Sequence, residues 1–275
     1  MAGTERRTGP FIATSEHRRF VEFANAVRKH RYIGLCFGAA GVGKTLSARR
    51  YANWQRAEPL LLEWGAHRKR SDAAVYTDLA KARTIFYTPP VSPTVGPLRR
   101  DLQQLLHRAN ACIDMHGARG QQREDLDCLL NHIELIIIDE AERLPTQALE
   151  YVRDLFDRHD IGLMLVGMPG IEKRMARYPQ LYSRVGFAHH YRTLQGEELA
   201  FVLKRHWRKL GLTLDAADFT DAQAVAAIAR TTGGNFRLLQ RLFVQIGRVL
   251  RLNERTVITE EVVDAARSTL VIGVN

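Results

Sequence analysis

The segment Gly38–Thr45 constrains the fold of this chain more than any other feature. Its sequence, GAAGVGKT, fits the phosphate-binding pattern G-x-x-x-x-G-K-[ST]. The apolar run Ile33–Phe37 before it predicts a strand, and Leu46–Trp54 after it predicts a helix whose N-terminus faces the loop. Glycine lets the backbone turn tightly and point successive N–H groups at phosphate oxygens. A strand, this loop and a helix in that order predict a nucleoside triphosphate site.

Two side chains of the loop have expected roles beside the phosphates. Lys44 is expected to neutralise charge on the β- and γ-phosphates, and the hydroxyl of Thr45 is expected to hold Mg²⁺.

A second motif is the apolar run Leu135–Ile138, which is followed by Asp139 and Glu140. It predicts a buried parallel strand with two carboxylates at its C-terminal end. Asp139 is placed to bind Mg²⁺ through water, and Glu140 to orient or deprotonate the water that attacks the γ-phosphate. The alternative is a solvated strand end that caps the next helix, and the phosphate loop argues against it. The predicted nucleotide-binding residues are Gly38, Gly41, Val42, Gly43, Lys44, Thr45, Leu46 and Asp139, with Thr45 and Asp139 as predicted metal ligands.

Length and composition limit the remaining possibilities. The 275 residues, of which 45% are apolar, can form one medium domain and one small one. No stretch approaches about 18 consecutive apolar residues, and Met1–Pro10 is not followed by the apolar region of a secretion signal. Cys36, Cys112 and Cys128 are widely spaced, which is typical of reduced thiols. We therefore expect a cytoplasmic protein that does not bind a membrane.

The formal net charge of +10 favours a polyanionic partner, and nucleic acid is the usual one. The excess is uneven, since the first 50 residues contain ten basic and three acidic residues. A basic surface that serves only solubility is the alternative.

The order of predicted elements indicates an α/β fold. Strands and helices alternate through the first two thirds, which predicts a doubly wound parallel sheet, and a small all-α domain follows. We predict a basic tail over residues 1–14, an α/β nucleotide-binding domain over 15–192 and a helical lid domain over 193–275. The expected helix N-caps are Ser15, Thr220 with Asp221, Asn235 and Thr259.

These motifs together resemble an AAA+ ATPase of the origin-recognition and transposition-helper branch. The resemblance rests on the phosphate loop, on the acidic strand and on Gly234–Arg237 at the start of a lid helix, and it covers about residues 15 to 270. Within that branch, Glu140–Leu144, Leu165–Gly170 and Leu181–Phe187 are similar to the TniB, TnsC and MuB helpers of DNA transposition.

The resemblance implies that Lys44, Thr45, Asp139 and Glu140 bind and hydrolyse Mg·ATP, so ATP and Mg²⁺ are the expected cofactors. It also implies that Arg237 is a lid arginine that contacts the γ-phosphate from the same chain.

Arg184 would be the arginine finger that reaches the nucleotide of a neighbouring subunit, with Arg174 and Arg177 as substitutes. Such a cation stabilises charge on the transferring phosphoryl group and makes hydrolysis depend on assembly. The segment Leu165–Met168 departs from the family because it lacks the asparagine or threonine of the first sensor, and slow hydrolysis would follow.

In such helpers the loop after the second strand and the next helix face the DNA channel of an oligomer. On this chain the implied DNA contacts are Thr94, Arg99 and Arg100, together with Arg119 in the next basic loop. Arginine and threonine suit phosphate contacts, which position a protein without reading sequence. The alternative is that Arg99 and Arg100 begin a solvated helix.

The sequence therefore predicts an ATP-dependent, DNA-binding regulator of transposition. ATP would drive assembly of a ring or helical filament on target duplex DNA, the assembly would recruit or activate a transposase, with or without a target-selection protein, and hydrolysis would release it. Two other functions remain open: a replication initiator or helicase loader, and an ATPase of secretion or envelope assembly similar to ExeA.

Overall fold

The computed structural model describes residues 11–63, 72–117 and 132–270. These residues divide into two compact units. One unit lies within Arg19–Tyr191, and the other combines the described residues up to Arg18 with those from Arg192 onward. The first is an α/β unit, and the second is helical.

Five parallel strands form the sheet of the α/β unit, and their spatial order is β2-β3-β4-β1-β5. Because every pair is parallel, all the C-terminal strand ends meet at one edge, which is where open α/β sheets bind ligands. This topology confirms the predicted doubly wound α/β sheet. The strands are β1 Ile33–Phe37, β2 Thr84–Tyr87, β3 Leu135–Ile138, β4 Gly162–Gly167 and β5 Val185–His190.

Helices cover the sheet and build the second unit. In the described part of the α/β unit they are α1 Ser15–His30, which begins in the helical unit, α2 Lys44–Tyr51, α3 Trp54–Leu62, α4 Ala73–Ala82, α5 Val95–Gly117, α6 Thr146–Arg158, α7 Ile171–Met175 and α8 Pro179–Tyr182. The helical unit contains α9 Gly196–Lys209, α10 Phe219–Thr232, α11 Phe236–Leu252 and α12 Glu260–Ser268. Residues 192–270 contain no strand, as predicted for a small all-α domain.

The predicted helix Leu46–Trp54 is wrong in its bounds. Helix α2 begins at Lys44 and ends at Tyr51, and α3 begins at Trp54. Between them Asn53 adopts a left-handed backbone with φ of 51°, which ends one helix and redirects the chain into the next.

Helix α1 packs directly against β1 because Gly34 has no side chain. A Cβ atom at Gly34 would lie 2.4 Å from Cγ2 of Val27. At the N-terminal end of β3, Glu134 accepts hydrogen bonds from Arg28 and Arg83. Burial raises the pKa of Glu134, but these two guanidinium groups outweigh it and lower the pKa below its usual value. The network fixes α1 to the edge of the sheet opposite the phosphate loop.

Side-chain caps define three helices of the helical unit. Oδ1 of Asn235 accepts hydrogen bonds from the backbone N–H groups of the first turn of α11, and Oγ1 of Thr259 does the same for α12. Both predicted caps are confirmed. The predicted cap at Thr220 and Asp221 is wrong, because Asp218 is the N-cap of α10 and its side chain accepts a hydrogen bond from the N–H of Asp221. The predicted cap at Ser15 is also wrong. Oγ1 of Thr14 accepts a hydrogen bond from the N–H of His17 at the start of α1.

Among the described residues, no helix is both long enough and apolar enough to cross a membrane.

His206 is a buried, uncharged component of the helical core. It is only 5% exposed, its ring stacks on Phe243 with centroids 4.5 Å apart, and Nε2 has no hydrogen-bond partner among the described residues. Burial, together with the smaller effect of the positive charge of Lys209, lowers the pKa of His206 to about 4.

We therefore expect His206 to make this unit sensitive to acid. Between pH 6.5 and about 4 the unfolded chain binds a proton at this position and the folded chain does not. The free energy of unfolding should therefore fall by about 1.4 kcal/mol for each unit by which the pH is lowered over this range. Urea unfolding of His206→Leu should show a shallower loss of stability over this range. His107→Leu, at an exposed position, is the control, and equal slopes in the two variants would contradict the prediction.

Candidate nucleotide-binding site

The C-terminal edge of the sheet brings the predicted nucleotide-binding residues together. The loop Gly38–Gly43 follows β1, and Asp139 and Glu140 follow β3. Strand β4 lies between β1 and β3 in the sheet. Residues that are almost a hundred positions apart in sequence therefore share one site.

The lysine of the phosphate loop is hydrogen-bonded to the backbone of the same loop. Nζ of Lys44 donates hydrogen bonds to the carbonyl oxygens of Gly38 at 2.7 Å and Ala39 at 2.8 Å, and the lysine is only 8% exposed. Gly41 and Gly43 have φ of 80° and 119°, in the left-handed region that favours glycine. These turns hold the ammonium group within the loop, where the pattern predicts phosphate oxygens.

Thr45 joins the loop to the acidic strand. Its Oγ1 donates a 2.7 Å hydrogen bond to Oδ2 of Asp139, which is 3% exposed. Burial raises the pKa of Asp139, and the hydrogen bond from Thr45 opposes that rise. Two hard oxygen ligands at this distance suit Mg²⁺, which takes few protein ligands and keeps water and phosphate oxygens for the rest. The residues present therefore fit the predicted metal.

The remaining predicted nucleotide-binding residues border the same loop. Val42 is buried, whereas Leu46 is 43% exposed at the first turn of α2.

Glu140 is held by a neighbouring cation. The residue adopts a left-handed backbone with φ of 49°, and its carboxylate forms an ion pair with Arg143. Nη1 of Arg143 also donates a 2.8 Å hydrogen bond to the carbonyl oxygen of Pro89, in the loop after β2. The predicted water-activating group is thus linked through one arginine to the segment that leads into α5.

Sequence reasoning missed Tyr191, which directly follows β5 and supports the phosphate loop. Its backbone N–H donates to the carbonyl oxygen of Phe37 at 2.7 Å, and its hydroxyl lies 2.8 Å from Oγ of Ser47 on α2. A Cβ atom at Gly38 would lie 2.2 Å from the carbonyl oxygen of Tyr191, and one at Gly43 would lie 3.3 Å from its hydroxyl. Only the pairing of β5 with β1 shows this contact.

A second missed residue, Glu142, occupies the end of β4. A Cβ atom at Gly167 would lie 2.6 Å from Oε2 of Glu142, and this buried oxygen has no hydrogen-bond partner among the described residues. Gly167 is the last residue of the strand that lacks the first-sensor asparagine or threonine. The polar group nearest this strand end is therefore supplied by a different segment.

Arg184 lies at the opposite edge of the sheet. It precedes β5, its carbonyl oxygen accepts a hydrogen bond from the N–H of Ile33, and its guanidinium forms a bidentate ion pair with Asp157. Arg174, a proposed substitute, donates to the carbonyl oxygens of Glu142 and Leu144. None of the described contacts of these arginines involves the phosphate loop of the same chain.

The predicted DNA contacts that the structure describes are exposed. Thr94 precedes α5, and Arg99 and Arg100 lie in its first two turns. The guanidinium of Arg99 lies 5.2 Å from the centre of the Tyr151 ring. Arg119 lies outside the described residues. The predicted lid arginine, Arg237, is exposed in the first turn of α11 in the helical unit.

Comparison with known proteins agrees with this architecture. A family model described as an AAA domain matches residues 27–175. A Staphylococcus aureus protein described as a potential ATP-binding protein is 42% identical over 274 residues, which cover 96% of this chain and 97% of that protein. The Mu-like prophage FluMu DNA transposition protein B of Haemophilus influenzae is 24% identical over 186 residues, which cover 64% of this chain and 54% of that protein.

Among solved structures, the RuvB Holliday junction branch migration motor of Thermotoga maritima is similar in fold. The match has a TM-score of 0.55 at 18% identity, and it covers 92% of this chain and 68% of RuvB. The parallel sheet with its phosphate loop defines an AAA+ P-loop ATPase fold. The chain belongs to the AAA domain family.

We expect Tyr191→Phe to weaken nucleotide binding without unfolding the unit. The substitution keeps the ring and removes the hydrogen bond to Ser47 that positions α2, so affinity for a fluorescent ATP analogue should fall by about fivefold, the effect of about 1 kcal/mol. Ser47→Ala should have a similar effect, and the double variant should be no weaker than either single one.

Tyr87→Phe is the matched control, because the hydroxyl of Tyr87 bonds Asp101 away from the loop. Equal affinity in Tyr191→Phe and Tyr87→Phe would contradict a role for Tyr191 in the site.

Proposed function

We propose that this protein is an ATPase that binds duplex DNA and regulates DNA transposition. The ATPase part of this proposal rests on the arrangement of the phosphate loop, Thr45 and Asp139. A buried ammonium group lies in the loop, and two oxygen ligands for a metal lie next to it. ATP with Mg²⁺ fits this arrangement because the loop supplies backbone N–H groups and one cation to the phosphates.

Hydrolysis would use groups that lie around this loop. Glu140 would orient or deprotonate the attacking water once its ion pair with Arg143 opens, and Lys44 would stabilise charge on the β- and γ-phosphates. Arg237 would contact the γ-phosphate from the helical unit. Slow turnover follows, because β4 ends in Gly167 and supplies no side chain to position that phosphate.

A homo-oligomer would complete the site. Arg184 lies at the sheet edge opposite the phosphate loop, so as an arginine finger it would serve the nucleotide of a neighbouring subunit. A cation supplied in this way makes hydrolysis depend on assembly. Asp157, which now pairs with Arg184, would have to release it.

The DNA contacts would come from the start of α5. Thr94, Arg99 and Arg100 are exposed there, and their side chains can bind phosphate oxygens without reading sequence. The hydrogen bond from Arg143 to Pro89 supports a coupling between this segment and the ATPase site. Displacement of the loop by DNA would loosen Arg143 and free Glu140.

The role in transposition rests on the similarity to the Haemophilus influenzae DNA transposition protein B, which spans about half of that protein. In this role ATP would assemble the protein on target DNA, and a transposase would bind the assembly. A replication initiator or helicase loader would share the fold and the ATPase site, and it would differ in the protein that it recruits.

The ATPase proposal is tested by two substitutions with opposite effects on binding. Lys44→Ala removes the cation held among the phosphates, so affinity for ATP should fall by at least an order of magnitude. Glu140→Gln keeps the loop intact, so ATP should bind as in wild type while phosphate release falls by about 10²-fold or more. ATP binding is measured by titration calorimetry and hydrolysis by phosphate release. Equal ATP affinity in Lys44→Ala and wild type would overturn the proposal.

The DNA proposal predicts nonspecific, ATP-dependent binding. Arg99→Gln and Arg100→Gln should each weaken the binding of two unrelated duplexes equally and reduce the slope of log affinity against log salt by about 0.9. Lys81→Gln, at an exposed position on α4, is the control for charge. Fluorescence anisotropy with ATP and with ADP measures both effects. Tight binding to one sequence only, with either nucleotide, would favour a replication initiator instead.

A further inference from the structure

Helix α11 presents a row of arginines on one side. Its 17 residues, Phe236–Leu252, include no acidic residue, and all four of its arginines are exposed. At 3.6 residues per turn these four positions fall within a sector of about 80° and extend over about 21 Å of the helix axis. The members of this α11 arginine row are Arg237, Arg241, Arg248 and Arg251.

No described contact neutralises the charge of the row. Among the described residues, none of the four guanidinium groups forms an ion pair, and the one described side-chain hydrogen bond joins Nε of Arg251 to the carbonyl oxygen of Gly247. Arg158 on α6 shows the contrast, since it is 73% exposed in its side chain and still pairs with Asp154. Like charges one turn apart destabilise a helix, so a row without acidic neighbours is unfavourable for folding alone.

The buried side of α11 determines which way the arginine row faces. Leu239, Leu242, Phe243, Ile246 and Leu250 are buried in the core of the helical unit. The helix therefore cannot rotate to hide its arginines or to expose its apolar side. The row is a rigid surface, and Val244 is the one apolar residue within its sector among the residues of this helix.

We propose that Arg241, Arg248 and Arg251 of the α11 arginine row bind the phosphate backbone of duplex DNA, as a surface separate from the start of α5. This inference rests on the proposed DNA-binding function and adds a second contact to it. Arginine binds phosphate through a planar fork of N–H donors, and a line of such forks matches a line of phosphates. An anionic membrane is a poorer match, because a helix that binds the bilayer surface exposes a broad apolar face.

The test removes three charges and leaves Arg237, which has a proposed role with nucleotide. The variant R241Q/R248Q/R251Q should bind two unrelated duplexes more weakly in the presence of ATP, and the slope of log affinity against log salt should fall by about 2.7, or about 0.9 for each lost contact. Its affinity for ATP should equal that of wild type. R241K/R248K/R251K keeps the charges and should keep most of the salt slope, which separates loss of contact from loss of fold.

The control K29Q/K81Q/K173Q removes the same charge from exposed positions on three separate helices. If it weakens DNA binding as much as R241Q/R248Q/R251Q does, net charge explains the effect and the inference is overturned. If wild type binds DNA and Arg99→Gln weakens it while the α11 variant does not, this inference fails alone. If wild type binds no duplex at low salt, the proposed function fails with it. Tighter binding to phosphatidylserine vesicles than to DNA, lost in the α11 variant, would overturn the choice of DNA.

Discussion

The hydrogen bond between Thr45 and Asp139 is the contact on which the candidate site depends. It joins the loop after β1 to the end of β3, although β4 lies between these strands in the sheet. The bond therefore requires all three strands to be parallel and in register, so that their C-terminal ends meet. Because Asp139 is buried, leaving its carboxylate without this partner would cost about 1–3 kcal/mol or more.

The strand between them must end in a small residue. Gly167 meets this requirement, and the carboxylate of Glu142 lies where a longer side chain would project. An asparagine or threonine at this position would have to displace Glu142 and Ile171. The packing around Gly167 therefore excludes the side chain of a first sensor. The feature that departs from the family pattern in sequence thus has a local physical cause.

Two arginines connect the site to other parts of the molecule in opposite ways. Arg143 contacts both Glu140 and the loop after β2, so under the proposed function it would link hydrolysis to the DNA surface at α5. Arg184 is paired with Asp157 at the opposite edge of the sheet, so the proposed arginine finger would serve the nucleotide of another subunit. In the part of the chain that the structure describes, the α11 arginine row forms no ion pair, which is why we assign it to an external polyanion.

The sequence by itself determined the features that depend on local chemistry. The phosphate loop, the acidic strand, the caps at Asn235 and Thr259 and the helical character of residues 192–270 follow from residue type and short-range spacing, and the structure has them where they were predicted. The pattern could not give the break at Asn53, because a single left-handed residue decides whether one helix or two form.

Only the tertiary structure decided which distant residues meet. Tyr191 supports the phosphate loop because β5 pairs with β1, and Glu142 fills the end of β4 because the turn after β3 folds over that strand. The sequence pattern assigns no role to either side chain, although Glu142 lies within the run Glu140–Leu144. Their positions depend on strand order, which is set by the packing of the whole sheet rather than by the properties of any one segment.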